Sequence, residues 1–107
     1  MKLDDTLASF FGALADPTRL ALMRAIWGGE RCVCDLQADA GGKAQNLVSH
    51  HLGVLRRAGL VATRRDGHWI YYRPAEEMEP SLRRALTAVF GPARDAIASC
   101  PPPARRQ

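Results

Sequence analysis

The segment Glu30-Arg31-Cys32-Val33-Cys34-Asp35-Leu36 carries the residues best suited to chemistry, a pair of thiols one residue apart. Thiolates select soft, thiophilic ions over hard ones. The pair follows Gly28-Gly29 and opens a short helix predicted from about Cys32 to Ala40. Unpaired N–H groups and the helix dipole at such a start favour the thiolate form. On an ideal helix, residues i and i+2 point to nearly opposite sides, so one small ion could be gripped by both only if the first turn bent. That mismatch is itself a candidate switch. The third cysteine, Cys100, stands just before Pro101 near the end of the chain. Three cysteines are too few, and the wrong parity, for a secreted disulfide framework. No C-x-x-C redox motif and no four-ligand zinc spacing is present.

The basic charge is concentrated elsewhere. The chain has 107 residues and a formal charge of +4. Residues 43–73 alone carry +5, together with all three histidines (His50, His51, His68), Trp69, Tyr71 and Tyr72. A nucleic-acid surface or a pocket for an anion would each use such a segment.

Five helices and one hairpin must position these groups. Leu3, Leu7, Phe10, Phe11 and Leu14 recur at helical spacing and predict a helix over 5–15, with Asp4 or Asp5 able to cap its first turn. Asp16-Pro17 reads as an N-cap followed by proline at the first helical position, and Leu20, Met23, Ile26 and Trp27 form the stripe of a second helix ended by Gly28-Gly29. The third helix ends at Gly41-Gly42. A fourth, about Ala44 to Ala58, is expected to bury Leu47, Val48, His51, Leu52 and Leu55 before Gly59. Residues 60–65 and 68–73 flank Asp66-Gly67, a strong hairpin signal. After an acidic linker, a last helix over about 81–99 presents Leu82, Leu86, Val89, Phe90 and Ile97, with a kink or break at Gly91-Pro92.

This order predicts a mostly α fold, a winged helix-turn-helix of about five helices plus a two-stranded wing. One domain is expected over residues 1–99, with a flexible Pro/Arg-rich tail over 100–107. The polar face of the fourth helix offers Lys43, Gln45, Asn46, Ser49, His50, Gly53, Arg56 and Arg57, where Gln and Asn suit adenine edges and the basic groups suit phosphates. The hairpin adds Arg64, Arg65, His68 and Arg73 along an adjoining backbone or minor groove. Double-stranded DNA is the partner this pattern favours.

A chain of this size cannot bury two amphipathic terminal helices generously by itself. Leu7, Phe10 and Phe11 of the first, with Leu86, Val89 and Phe90 of the last, are therefore expected to form a homodimer seam. Two-fold symmetry would set the two fourth helices one DNA turn apart, over an imperfect palindrome. Hydrophobic residues at 47% and charged residues at 24% suit a folded domain. No apolar run reaches membrane-spanning length and no signal peptide is visible, so a cytoplasmic setting is expected, with no membrane partner.

Several of these motifs fall in a familiar order. Leu14-Ala15-Asp16-Pro17-Thr18-Arg19-Leu20, the Cys32-Val33-Cys34-Asp35-Leu36 box, Val48-Ser49-His50-His51-Leu52 with Leu55-Arg56, and Gly59-Leu60-Val61 through Gly67, Trp69, Tyr72 and Arg73 resemble the ArsR/SmtB family of metal-sensing winged-helix repressors. The resemblance spans about residues 7–75. It implies a homodimeric repressor that leaves its operator when an inducer binds. In the arsenic-sensing branch, Cys32 and Cys34 would hold As(III) or Sb(III), with no organic cofactor, and the genes controlled would confer arsenic resistance. That branch often has a third cysteine three residues beyond the pair. Here Gln37 stands there, leaving Cys100 as the remaining sulfur. The zinc branch's last-helix histidines have no counterpart in residues 81–99, and His50 stands where an arginine is frequent. His51 is expected to pack and Trp69 to brace the hairpin.

Rival readings keep the same fold and change the signal. Cd(II) or Pb(II) could bind the same box, and dithiol oxidation could replace ion binding. A thiol enzyme acting on arsenic lacks a Cys-His pairing, a nucleotide loop and a reductase motif.

Overall fold

The computed structural model describes residues 2–93. The expected boundary at residue 99, the tail over 100–107, Ile97 and Cys100 lie outside the described residues. The element order is α1 (Lys2–Leu14), α2 (Pro17–Trp27), β1 (Arg31–Cys32), α3 (Val33–Asp39), α4 (Gln45–Arg57), β2 (Val61–Asp66), β3 (Trp69–Pro74) and α5 (Pro80–Phe90). This is a winged helix-turn-helix of five helices and a three-stranded antiparallel sheet in the order β1-β3-β2. The sheet has one strand more than the expected hairpin.

Local chemistry explains the helix starts. Asp16 accepts the Arg19 N–H at 3.0 Å and Pro17 takes the first helical position of α2. Glu79 does the same for Leu82 at 3.2 Å ahead of Pro80 in α5. At the other end of α5, Gly91 adopts φ +88°, which a β-carbon would disfavour, and the helix stops there rather than running on. Gly67, at φ +63°, fills the first of two loop positions in the wing, and Asp66 pairs with Trp69. The turn is therefore Gly67-His68, one residue later than the Asp66-Gly67 signal suggested.

The core joins all five helices and the sheet. Leu22, Met23, Ile26, Trp27, Leu36, Val48, Leu52, Leu55 and Leu60 are fully buried. Two helices are phased differently from the expected stripes. In α2, Leu22 is buried and Leu20 is exposed; in α4, Leu47 is exposed and His51 half-buried. Trp27 donates its indole N–H to the Gly91 carbonyl at 2.7 Å and meets the Phe90 ring at a centroid distance of 6.2 Å. These contacts fasten the end of α5 to α2.

The residues expected at a dimer seam divide into two groups. Phe10 and Leu86 are buried in the protomer's own core and Phe90 packs on Trp27, so these three are already engaged within one chain. Phe11 and Val89 remain 58% and 70% exposed; of the other apolar residues of α1, Leu3 is 55% exposed and Leu7 half-buried. No helix among the described residues is long and apolar enough to cross a membrane.

Candidate thiol site and nucleic-acid interface

Cys32 is not a helical residue. It ends β1, paired across the sheet with Tyr71, while Arg31 pairs with Tyr72. Its backbone is extended (φ −90°, ψ 166°), and it occupies the N-cap position of α3 without making a side-chain cap. The i, i+2 objection drawn from an ideal helix therefore does not apply. An extended residue followed by a helical one turns both side chains to the same side. The Cys32 and Cys34 sulfurs and an Asp35 carboxylate oxygen all lie within 4.8 Å of one another. Cys32 Sγ is 3.3 Å from Asp35 Oδ2. No bending of the first turn is needed to bring the pair together.

Asp35 was missed by the sequence reasoning, although its place directly after Cys34 was the available signal. Its carboxylate adds a harder oxygen to two soft sulfurs, a donor set that fits a thiophilic ion. Cys34 is a thiol, whereas Cys32 is disulfide-bonded in this structure, so ligation through Cys32 starts from its reduced form. Cys32 is buried at 1% exposure and Cys34 is half-buried. Cys34 opens onto a groove of about 550 Å³ lined also by Val33, Gln37, Gln45, His68, Trp69 and Ile70. That groove runs between α3, the start of α4 and the wing.

A second ionic feature sits against the thiol site. Arg64 donates from Nη2 to Glu30 Oε1 at 2.7 Å and from Nε to Oε2 at 3.1 Å, a bidentate pair. Glu30 is only 8% exposed, and the Arg64 guanidinium also covers the Tyr71 ring at 4.4 Å. The carboxylate beside it raises the Arg64 pKa further. Arg64, one of the expected DNA contacts, is thus engaged within the protein. Its guanidinium is committed to holding the wing against the segment that precedes Cys32. A single acidic residue between Gly29 and Arg31 gave no sequence signal of burial.

The rest of the expected DNA face is exposed where a groove could meet it. Lys43, Gln45, Asn46, Ser49, His50, Arg56 and Arg57 are exposed on and before α4, and Arg65 and His68 are exposed at the wing tip. Gly53 lacks the β-carbon that would stand 3.1 Å from Arg57 Nη1, which lets that side chain lie back along the helix. Arg73 is half-exposed and 3.6 Å from the Glu76 carboxylate. Asn46 Oδ1 accepts the Leu47 N–H at 2.9 Å, satisfying one donor of the first turn.

His51 is half-buried where α4 meets α2. Arg19 reaches its Nδ1 at 3.1 Å and bonds the Ala13 carbonyl at 2.5 Å, linking α1, α2 and α4. An arginine can only donate, so Nδ1 is the acceptor and the ring is held neutral. Burial lowers the His51 pKa, and Arg19 adds to the effect while Asp16 opposes it. Asp16 itself is held below its usual value by the Arg19 backbone N–H.

Comparisons with known proteins agree with this geometry. Residues 16–63 match the sequence profile of the bacterial regulatory protein arsR family. The chain is 46% identical over 88 residues to a transcriptional repressor SmtB homolog of Synechocystis sp., covering 80% of this chain and 66% of that one. It is 44% identical over 64 residues to the arsenical resistance operon repressor of Escherichia coli, covering 59% of this chain and 54% of that one. Among solved structures, the homodimeric winged helix-turn-helix DNA-binding domain from Mycobacterium bovis superposes with a TM-score of 0.71 at 33% identity, over 82% of this chain and 81% of that one. With the profile lying over α2 to β2 and the fold shared along most of both chains, the protein belongs to the ArsR family of bacterial regulatory proteins, a family of DNA-binding transcriptional regulators and not of enzymes.

Proposed function

We propose that this chain is a homodimeric, cytoplasmic repressor that binds a palindromic operator through α4 and the wing tip. Arsenite or antimonite, bound to the reduced thiols of Cys32 and Cys34, releases it and so turns on arsenic resistance genes. The observation that carries this reading is the cluster of two sulfurs and a carboxylate within 4.8 Å, opening through Cys34 onto a groove shared with Gln45 and His68. A thiophilic ion and the DNA would then act on the same few residues. The similarity to an arsenical resistance operon repressor supports the choice of ion. Cys100 is the proposed third sulfur donor. Lys43, Gln45, Asn46, Ser49, His50, Arg56, Arg57, Arg65, His68 and Arg73 are the proposed DNA contacts, with Leu7, Phe11 and Val89 at the dimer seam.

Ion and operator favouring different arrangements of one helix pair would need a coupling of only about 1–3 kcal/mol. Fluorescence anisotropy of the fully reduced protein on a promoter fragment tests it. Micromolar arsenite should dissolve the complex, and Cys100→Ser should weaken that response. An intact complex in arsenite that dissolves in Cd(II), Pb(II) or zinc would overturn the choice of ion. Phe11→Asp should give monomers by analytical ultracentrifugation; an unchanged dimer would move the seam away from α1.

The disulfide-bonded state of Cys32 favours a second reading, thiol-redox sensing. There two thiols give up two protons and two electrons to a peroxide, which leaves as water, and a disulfide forms. Release by peroxide, reversed by a dithiol and indifferent to arsenite, would select it.

A further inference from the structure

The start of α4 carries one side chain that neither the core nor the dimer seam accounts for. Leu47 is 43% exposed, whereas Val48, Leu52 and Leu55 of the same helix are fully buried. Its neighbours Gln45, Asn46, Ser49 and His50 are exposed and polar, and His50 lies one turn on, on the same face. The other large exposed apolar groups among the described residues, Leu3, Phe11, Leu20 and Val89, lie on α1, α2 and α5. The Leu47 backbone is fixed by the Asn46 side chain, whose carbonyl oxygen takes the Leu47 N–H. That bond occupies one of the two lone pairs on the oxygen with which Asn46 would read adenine.

Resting on the DNA-binding reading, we infer that Leu47 reads a thymine methyl group in each half-site. Residues at the N-terminal end of the second helix of a helix-turn-helix face base edges in the major groove. Of the groups displayed there, the thymine C5-methyl is the apolar one, and every other base edge offers a donor or an acceptor. A leucine set among polar side chains at that end has a partner on thymine and would leave unpaired polar atoms on any other base. Gln45 and Ser49 on either side of it would read the adjoining edges by hydrogen bonds. Leu47 is thereby a specificity-determining residue.

The test begins with selection of duplexes from a random pool by the reduced full-length protein. Each thymine in the selected duplex is then replaced singly by deoxyuridine, which removes only the methyl group, and binding is followed by anisotropy. One thymine per half-site should weaken binding about fourfold on losing its methyl, the factor expected for burying one such group. Leu47→Ala should bind the thymine duplex more weakly and no longer distinguish it from the uracil duplex. Because Leu47 is exposed, that variant should melt as the parent does, and a Leu47→Met variant should regain the discrimination. A parent that binds its selected duplex yet ignores every thymine-to-uracil change overturns the inference, as does a Leu47→Ala variant that keeps the parent's preference. Enrichment of no duplex at all would overturn the DNA-binding reading, and this inference with it.

Discussion

The two helices of the helix-turn-helix begin in opposite ways. The start of α3 is clamped. Cys32 is paired to Tyr71 in the sheet, Tyr71 lies under Arg64, and Arg64 is bound at two points to the buried Glu30. The start of α4 is open: Gly41 and Gly42 take positive φ, Lys43 and Ala44 are exposed, and Ala44 provides no side-chain cap. Each design suits a different task. A clamped terminus passes a displacement into the wing through β3, while an open one can settle against a groove and complete its hydrogen bonds there. Sensing and reading are thus assigned to adjacent helix starts of unequal stiffness.

Removing the sulfurs from the clamped end should give the largest effect. For a coupling of about 1–3 kcal/mol, arsenite should weaken operator binding by the parent roughly 5–150-fold. Cys32→Ser and Cys34→Ser should each hold their affinity in arsenite and bind as the parent does without it. Loss of binding in the absence of arsenite would instead make the thiols part of the scaffold, and the distinction between the two helix starts would collapse.

Adjacent arginines of β2 sharpen the same comparison with a smaller effect. Arg64→Ala strands Glu30, a buried carboxylate, and should lower the melting temperature by several degrees. Arg65→Ala should leave melting unchanged and reduce the slope of log affinity against log salt by about 1, the share of one phosphate contact. If Arg64→Ala flattened the salt slope without destabilising the fold, the Glu30 pair would not be the clamp it is taken for.

What could be seen in the sequence followed from periodicity and caps. Asp16-Pro17 and Gly28 bracket α2 within a residue, and the apolar spacing of α4 separated its core side from its polar side except at Leu47 and the half-buried His51. The misplacement of Leu47 has a simple cause: Leu47 and Val48 are neighbours in an apolar pair, and only tertiary packing decides which one turns inward. In α2, too, packing alone decides that Leu22 turns inward while Leu20, two positions before it, stays exposed. β1 was not legible at all, since two residues show no alternation and their partners lie some forty positions further on. Because β1 is what takes Cys32 out of the helix, the thiol geometry was hidden for the same reason. Pairing between distant segments, not local preference, built the site.

The smallest effect concerns the joint behind the open helix, where His51 ties α4 to α2. Its pKa is lowered, mainly by burial and further by Arg19, so the unfolded chain takes up the proton more readily than the folded one. The stability the neutral ring contributes is complete above about pH 6.5, the unfolded value, and is lost as pH falls from there through the folded pKa. Asp16 does not confuse this window. Its carboxyl is held below the ordinary value of 3.8 and stays charged throughout it. Melting temperature should therefore fall between pH 7.5 and pH 5.5, and His51→Gln should flatten part of that slope while lowering the plateau above it. If His51→Gln kept the parent's pH profile, the His51–Arg19 contact would carry no proton-linked stability, and the link between α2 and α4 would rest on apolar packing alone.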